Sequence, residues 1–346
     1  MSDFTPPPIT PPDAALAQRL RDKVDALAKP RGALGRLEEL AVRIGAIQGR
    51  EDPSVARARA YVFAGDHGMN AEGVSAYPSA VTAAMVATFL AGRASVNALA
   101  GACGVEVAVV DAGVDADLPA HEKLIPAKVR RGSRNAAVEA ALTPGEVVEA
   151  LARGMALAAE AAEDGVDAVI PGEMGIGNTA SAALILHRLA PAPLEACIGA
   201  GAGHDAAGLA LKTAAIGRAA ARSDAVGPLE VLAEFGGAEI AMMAGLVLGG
   251  AAHRRVVVVD GFISSVAALT ACRMAPAALD YCVFAHASAE RGHAILLEAL
   301  GVEPLLRLDL RLGEGTGGVL AAPLLRAAAR MLSEVASLDD VISGRL

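Results

Sequence analysis

Tryptophan is absent from the sequence, and only three tyrosines and six phenylalanines stand among its 346 residues. With 54% hydrophobic residues but only 3% aromatics, the core must be built from Ala, Val and Leu, whose small side chains allow close helix packing. Cysteine is equally scarce. Cys103, Cys197, Cys272 and Cys282 are scattered without C-x-x-C spacing, so reduced thiols and a cytoplasmic setting are expected. Positive charge is in deficit, 30 Lys and Arg against 39 Asp and Glu, and the net charge of −9 argues against a nucleic-acid partner. Long apolar runs are missing too. The stretch Ile240 to Ala252 is too short and glycine-rich to span a bilayer, and the proline-rich Met1–Pro12 lacks a basic-then-apolar signal pattern. A soluble protein with no membrane partner is expected.

What the chain has in quantity is glycine, 37 residues of it. Residues 1–12 form an extended arm by their prolines. Ala14–Ala28 and Gly35–Gln48 carry helical periodicity around the loop K-P-R-G-A-L-G, so a small helical unit is expected over 13–50. Arg31 and Arg36 there are read as solvated. From Ala60, short β-branched runs alternate with Ala-rich helices, which predicts a parallel α/β sheet over 55–315. The expected strands are Ala60–Ala64, Val105–Val110, Ala168–Ile170, Ala196–Ile198, Val256–Val259 and Tyr281–Phe284. Each precedes a loop rich in Gly, Asp, His or Ser, and in such sheets ligands bind at the carboxyl ends of the strands.

Several of these loops could carry chemistry. In A-G-D-H-G-M-N, Asp66 and His67 are read as a hydrogen-bonded turn rather than metal ligands, because no second group shows ligand spacing. Ser75, Tyr77 and Pro78 precede an expected helix Ser79–Ala100. The basic V-R-R-G-S-R-N, residues 129–135, is either an anion-attracting loop or a solvated turn. P-G-E-M-G-I-G-N-T, read as strand, loop and helix start, offers backbone N–H groups at Gly175 and Gly177 to an anion, with Glu173 placed to hold a sugar hydroxyl. It is neither a Walker loop nor a dinucleotide fingerprint. In I-G-A-G-A-G-H-D, Asp205 is an expected N-cap and Lys212 lies two turns on, able to reach a phosphate. His286 and His293 are read as capping or packing groups, and Glu290 and Arg291 as a solvated face.

R-L-G-E-G-T-G-G, Arg311 to Gly318, concentrates the interest. Glu314 is a lone carboxylate between glycines that free the backbone, followed by Thr316 as an expected cap of a helix reaching about Val335. Walled by apolar groups, its pKa would rise and suit proton abstraction near neutrality.

Taken in order, P-R-G-A-L-G-R-L-E, A-G-D-H-G, E-G-V-S-A-Y-P, P-G-E-M-G-I-G-N-T, F-G-G-A-E-I-A, V-D-G-F, H-A-S-A-E-R-G-H and R-L-G-E-G-T-G closely resemble the nicotinate-nucleotide–dimethylbenzimidazole phosphoribosyltransferases of cobalamin biosynthesis. The resemblance implies transfer of ribose phosphate from nicotinate mononucleotide to 5,6-dimethylbenzimidazole, with Glu314 as general base and no cofactor or metal. It implies that Glu173, Gly175, Gly177, Asn178, Gly201, Gly203, Lys212, Asp260, Gly261 and Ser288 hold the ribose and phosphate. Ser75, Tyr77, Met174 and Leu312 would form the pocket for the base. It further implies a doubly wound, Rossmann-like parallel sheet and a homodimer, with a small helical domain built from residues 13–50 and about 316–346. Ala84, Ala200, Ala202 and Ala238 depart from the family pattern, which bears on the choice of base. Two other readings compete: a metal-dependent phosphohydrolase using Asp66, His67, Asp260 and His286, and a non-catalytic nucleotide- or base-binding protein.

Overall fold

The β-branched runs become strands β1 (Ala58–Gly65), β2 (Glu106–Gly113), β3 (Leu124–Pro126), β4 (Ala168–Met174), β5 (Val256–Val259) and β6 (Cys282–Phe284). The computed structural model describes residues 4–190, 192–199, 201, 203 and 205–345, so Ala200 and Ala202 lie outside the described residues. The strands form one sheet in the order β3-β2-β1-β4-β5-β6, every pair parallel. This is a doubly wound α/β fold. Its strand order reverses between β1 and β4, which opens a crevice beyond their carboxyl ends.

Helices α1 (Ala14–Ala26) and α2 (Arg36–Gln48) precede the sheet, and α3 (Ala80–Leu90) and α4 (Ser95–Cys103) join β1 to β2. Helix α5 (Pro144–Glu163) leads into β4. Between β4 and β5 run α6 (Asn178–Leu189), α7 (Leu194–Cys197), α8 (Ala206–Arg222), α9 (Pro228–Phe235) and α10 (Ala238–Ala252). Helix α11 (Phe262–Met274) joins β5 to β6, and α12 (Arg291–Leu300), α13 (Thr316–Glu334) and α14 (Leu338–Ser343) follow.

Two helices cover the sheet from opposite sides. Gly250 of α10 sits over the side chains of Val169 and Val257, and Gly318 of α13 sits over Ile170. Val169 and Ile170 are neighbours on β4, so their side chains point to opposite faces. The central strands are consequently buried on both faces and read as continuous apolar runs. Helix α13 also packs on α2 and α4, and the chain ends meet where Leu27 and Ser337 form an antiparallel bridge.

Four expectations need correction. Ala196–Ile198 is not a strand: Leu194–Cys197 is a helical turn opening after Pro193, made of helix formers with Ile198 the one β-branched residue nearby. Ser79–Ala100 is not one helix, since the chain turns between α3 and α4 with Gly92 at φ +70°. The apolar run Ala80–Cys103 is long enough by composition to cross a bilayer, but this turn breaks it and only a third of it is buried. Thr316 is not the cap of α13; it is the first helical residue, with Gly315 before it. Finally, β4 extends through Met174, so Glu173 and Met174 are strand residues rather than loop residues. The edge strand β3, three residues ending in proline, carries too little pattern to be read from the sequence.

The scarcity of large side chains shows where α5 crosses α10. A Cβ on Gly154 would lie 2.0 Å from the Met242 carbonyl oxygen, and one on Gly245 2.2 Å from that of Leu151. Gly154→Ala should therefore destabilise the fold by about 1–3 kcal/mol through overpacking. Gly217→Ala, on α8 with open space around it, should instead raise stability by roughly 0.5–1 kcal/mol. Thermal melts of the two variants check the contrast.

Candidate active site

At the carboxyl ends of β4, β5 and β6 lies a cavity of about 390 Å³. It brings together Tyr77, Glu173, Met174, Gly175, Asn178, Asp260, Gly261, Ser288, Leu312 and Glu314, all expected from the sequence. A broader hollow of about 710 Å³ beside α1 and α2 contains none of the strand-end loops.

Glu314 is only 4% exposed, and its φ of +62° is flanked by +84° at Gly313 and +83° at Gly315. Three successive left-handed residues need outside support, because a side chain there is strained. Asp260, at the end of β5, provides it. Its carboxylate accepts the N–H of Gly315 (3.1 Å) and of Gly318 (2.9 Å), so it caps α13 from another part of the chain. The Glu314 N–H donates to the Glu173 carbonyl (3.2 Å), and its Oε2 accepts from Val96 N–H in the first turn of α4 (3.2 Å).

Burial is the main force on these acids. It pushes the Glu314 carboxyl above its ordinary range; Val96 N–H pulls it back and Asp260 adds to the rise. Glu173 is pushed up to about 8, first by burial, with Asn178 opposing and Asp260, Glu239 and Glu314 adding repulsion. Burial likewise raises Asp260, against His286 and the glycine N–H groups of the loop. His286 Nε2 lies 3.6 Å from Asp260 Oδ1.

The Asn178 side-chain amide donates to Glu173, and Ile176 N–H donates to Thr82 Oγ1 at 3.2 Å. Lys212 does not line the cavity. It is buried one layer behind, its Nζ donating to Thr179 Oγ1 (2.9 Å), and burial lowers it to about 8 against the pull of the Glu290 carboxylate. Gly201 packs beside that Nζ and Gly203 beside the Tyr77 ring, while Gly177 seats on His67. Ser75 also lies off the cavity wall, its Oγ accepting from Tyr77 N–H. On the far side, Ser288 N–H donates to His293 Nδ1 (2.9 Å), so Nε2 carries the ring proton and donates to Ser265 (3.0 Å). That neutral tautomer agrees with burial, followed by His286, lowering His293 to about 3.

The sequence reading missed part of the wall. Val81 and Met85 of α3 line the cavity, as do Thr179, Phe262, His286 and Arg311. Glu290 was expected on a solvated face and instead faces the cavity. The α3 residues look like ordinary helix apolar positions in sequence, so nothing marked them. Ala84, singled out for the base, is exposed on α3 and off the cavity wall, and Ala238 begins α10 away from it. The basic loop is spent on ion pairs, Arg130 and Arg134 with Glu146 and Arg131 with Asp117. Asp66 and His67 are tied up separately from Asp260 and His286, and among the described residues no three His, Cys, Asp or Glu side chains converge as metal ligands.

Residues 9–341 match a phosphoribosyltransferase family model. The chain is similar to nicotinate-nucleotide–dimethylbenzimidazole phosphoribosyltransferases from Cupriavidus necator, 51% identical over 96% of each chain, and from Deinococcus radiodurans, 50% identical over 96% of this chain and 93% of that one. Its fold is similar to the crystal structure of CobT from Thermus thermophilus, with a TM-score of 0.91 and 46% identity over 94% of this chain and 98% of that one.

Glu173 offers a test that needs no relative. Its folded pKa of about 8 exceeds its ordinary value of 4.5, so the folded state holds this proton more tightly than the unfolded chain does. The contribution to stability is complete below the ordinary value and is lost as pH rises through the folded one. The melting temperature of Glu173→Gln minus that of the parent should accordingly grow between about pH 4.5 and 8. A difference that stays flat over this range would contradict the burial argument.

Proposed function

Because the chain belongs to the phosphoribosyltransferase family of these relatives, we propose that its cleft passes ribose 5-phosphate from nicotinate mononucleotide to 5,6-dimethylbenzimidazole. The products are α-ribazole 5′-phosphate and nicotinate, in activation of the cobalamin lower ligand. The observation that carries the assignment of roles is Glu314, a buried carboxylate held in a left-handed loop against the cavity.

Glu314 takes the N–H proton of the benzimidazole as the other ring nitrogen attacks the ribose anomeric carbon. The carbon–nitrogen bond to the pyridinium breaks, its electron pair returns to the ring, and nicotinate leaves. Attack opposite the leaving group turns the β bond into an α bond in one displacement. Positive charge developing on the ribose is offset by the carboxylates around it. Tyr77, Met174 and Leu312, joined by Val81 and Met85, form an apolar slot for the flat base; Ser75 supports it by holding the Tyr77 turn. Glu173, Gly175, Asn178, Gly261 and Ser288 face the ribose and phosphate. Gly177, Gly201, Gly203 and Lys212 act from behind, Lys212 through Thr179 until a phosphate draws its Nζ forward. Asp260 keeps the Glu314 loop in place while facing the same ribose.

A non-catalytic binding protein would have no use for the strained carboxylate. A metal-dependent phosphohydrolase would need Asp66 and His67 beside Asp260 and His286, and His67 is engaged on both ring nitrogens elsewhere. We also propose a cytoplasmic homodimer, with α1, α2, α13 and α14 forming a small helical domain. The mostly unburied apolar run Ala80–Cys103, with Tyr77, Leu308 and Leu312 exposed, favours a second copy as the cover.

Incubation with both substrates should yield α-ribazole phosphate with or without EDTA. Glu314→Gln should lower kcat about 10²–10⁴-fold, the range for loss of a general base, while still binding both substrates. In the parent, kcat should rise with pH through a pKa above the ordinary carboxylate range, since only the ionised form accepts the proton. No product from folded protein would overturn the assignment. Light scattering should give the mass of two chains.

A further inference from the structure

Two glycine-bearing motifs, A-G-D-H-G and F-G-G-A-E-I, have no part in the cleft just described, yet they meet in the core. His67 Nε2 lies 2.6 Å from Glu239 Oε1, and its Nδ1 lies 2.9 Å from Ser181 Oγ. All three side chains are essentially without solvent exposure, Ser181 at 1%, His67 at 2% and Glu239 at 0%. The glycines make room for them. A Cβ on Gly237 would fall 2.4 Å from Glu239 Oε2 and 2.5 Å from the His67 ring, and one on Gly65 2.8 Å from Glu239 Oε2. Burial alone would lower the His67 pKa, but the Glu239 carboxylate beside it turns the shift upward.

The pair reaches toward the cleft through α6. Ser181 lies three residues after Asn178 on that helix, one turn away and on the same side. Its tie to His67 therefore sets the rotation of the helix that aims Asn178 at Glu173 and Thr179 at Lys212. Gly177, left-handed at φ +95°, seats directly on His67. The neighbouring residue stands beside the same support: the Asp66 carboxylate lies near Thr82, whose Oγ1 accepts the N–H of Ile176 in the same loop.

We propose that His67, clamped between Ser181 and Glu239, is a positioning residue for the nucleotide, fixing the loop Gly175–Asn178 from beneath without touching substrate. This rests on the reading of that loop as the nucleotide's holder. It predicts a selective defect. Holding the nucleotide depends on the loop, whereas the base sits largely against α3 and Leu312.

The test measures nicotinate mononucleotide binding by calorimetry, with steady-state constants for both substrates, on Ser181→Ala and Glu239→Gln. Ser181→Ala removes one hydroxyl and adds no volume, so it should fold, with a melting temperature lowered by only a few degrees for the one buried hydrogen bond lost. Nucleotide Kd and KM should rise about tenfold, as expected for one lost buried hydrogen bond, with the KM for dimethylbenzimidazole within about twofold of the parent. Glu239→Gln keeps the shape and removes the charge, and should show the same split. If it fails to fold, Ser181→Ala decides alone. Unchanged nucleotide binding in folded Ser181→Ala overturns the inference, as does an equal loss for both substrates, which would mark a merely structural role. If the parent protein itself does not bind the nucleotide, the loop's assignment fails and the inference falls with it. Binding by the parent with unaffected variants removes the inference alone.

Discussion

The carboxylate of Asp260 holds the cleft together. It sits at the end of β5 and satisfies two N–H groups at the start of α13, a helix that begins 56 residues later in the sequence. A helix start leaves its first N–H groups without partners, and an acid supplied from another strand meets that need while welcoming the helix dipole. The same two bonds fix the preceding loop, in which Glu314 takes a conformation that costs a non-glycine residue on the order of 1–2 kcal/mol. With Val96 N–H on its carboxylate and Glu173 O on its own N–H, Glu314 has little freedom to swing away. In its proposed role as general base Glu314 gains from such restraint, because its reach must match the proton it removes.

Glycine then does more than open loops for a phosphate. A Cβ on Gly172 would lie 2.6 Å from the Glu314 carbonyl oxygen, and one on Gly317 would lie 1.9 Å from the His286 ring. The loop of Glu314 is pressed against β4 and β6 more closely than any side chain would allow. The glycine-rich motifs are therefore largely interlocking backbone surfaces that bring three strand ends and one loop to a common point. A core free of tryptophan and dominated by Ala, Val and Leu permits the same closeness between α5 and α10.

Much of this was legible in the sequence, and the limits have physical causes. The central strands could be read because burial on both faces demands β-branched runs, as in Val256–Val259. Glu314 could be read because glycine on both sides announces an unusual backbone. By contrast, β3 is too short to carry a pattern, and the turn at Leu194–Cys197 lies in a stretch whose apolar content suits strand or helix. The thirteen-residue run Ile240–Ala252 proved to be the interior of α10, while the longer apolar stretch lay in α3 and α4. Contacts between distant residues were invisible. Nothing local says that His67 pairs with Glu239, 172 positions away, or that Val81 and Met85 turn their helix face to the cavity. The capping box at Thr143 and Glu146 was open to reading and would have marked the start of α5.

A cleft lined by Glu173, Asp260, Glu290 and Glu314 is an odd place to receive a phosphate-bearing nucleotide. The protonation pattern resolves the conflict. Burial pushes the pKa of Glu173 up to about 8, which favours its protonated form at neutral pH and so takes one negative charge out of the cluster. The starts of α4, α6 and α13 all turn toward the acids, so backbone dipoles offset what charge remains. The nucleotide meets the site in two parts. In the proposed reaction its phosphate is served by helix starts and by Lys212 behind Thr179, and its cationic pyridinium–ribose bond by the carboxylates. As that bond breaks, positive charge shifts from the departing ring to the sugar, and fixed carboxylates stabilise it without reorganising. The acidity that would repel the substrate as a whole thus suits the one part of it that reacts.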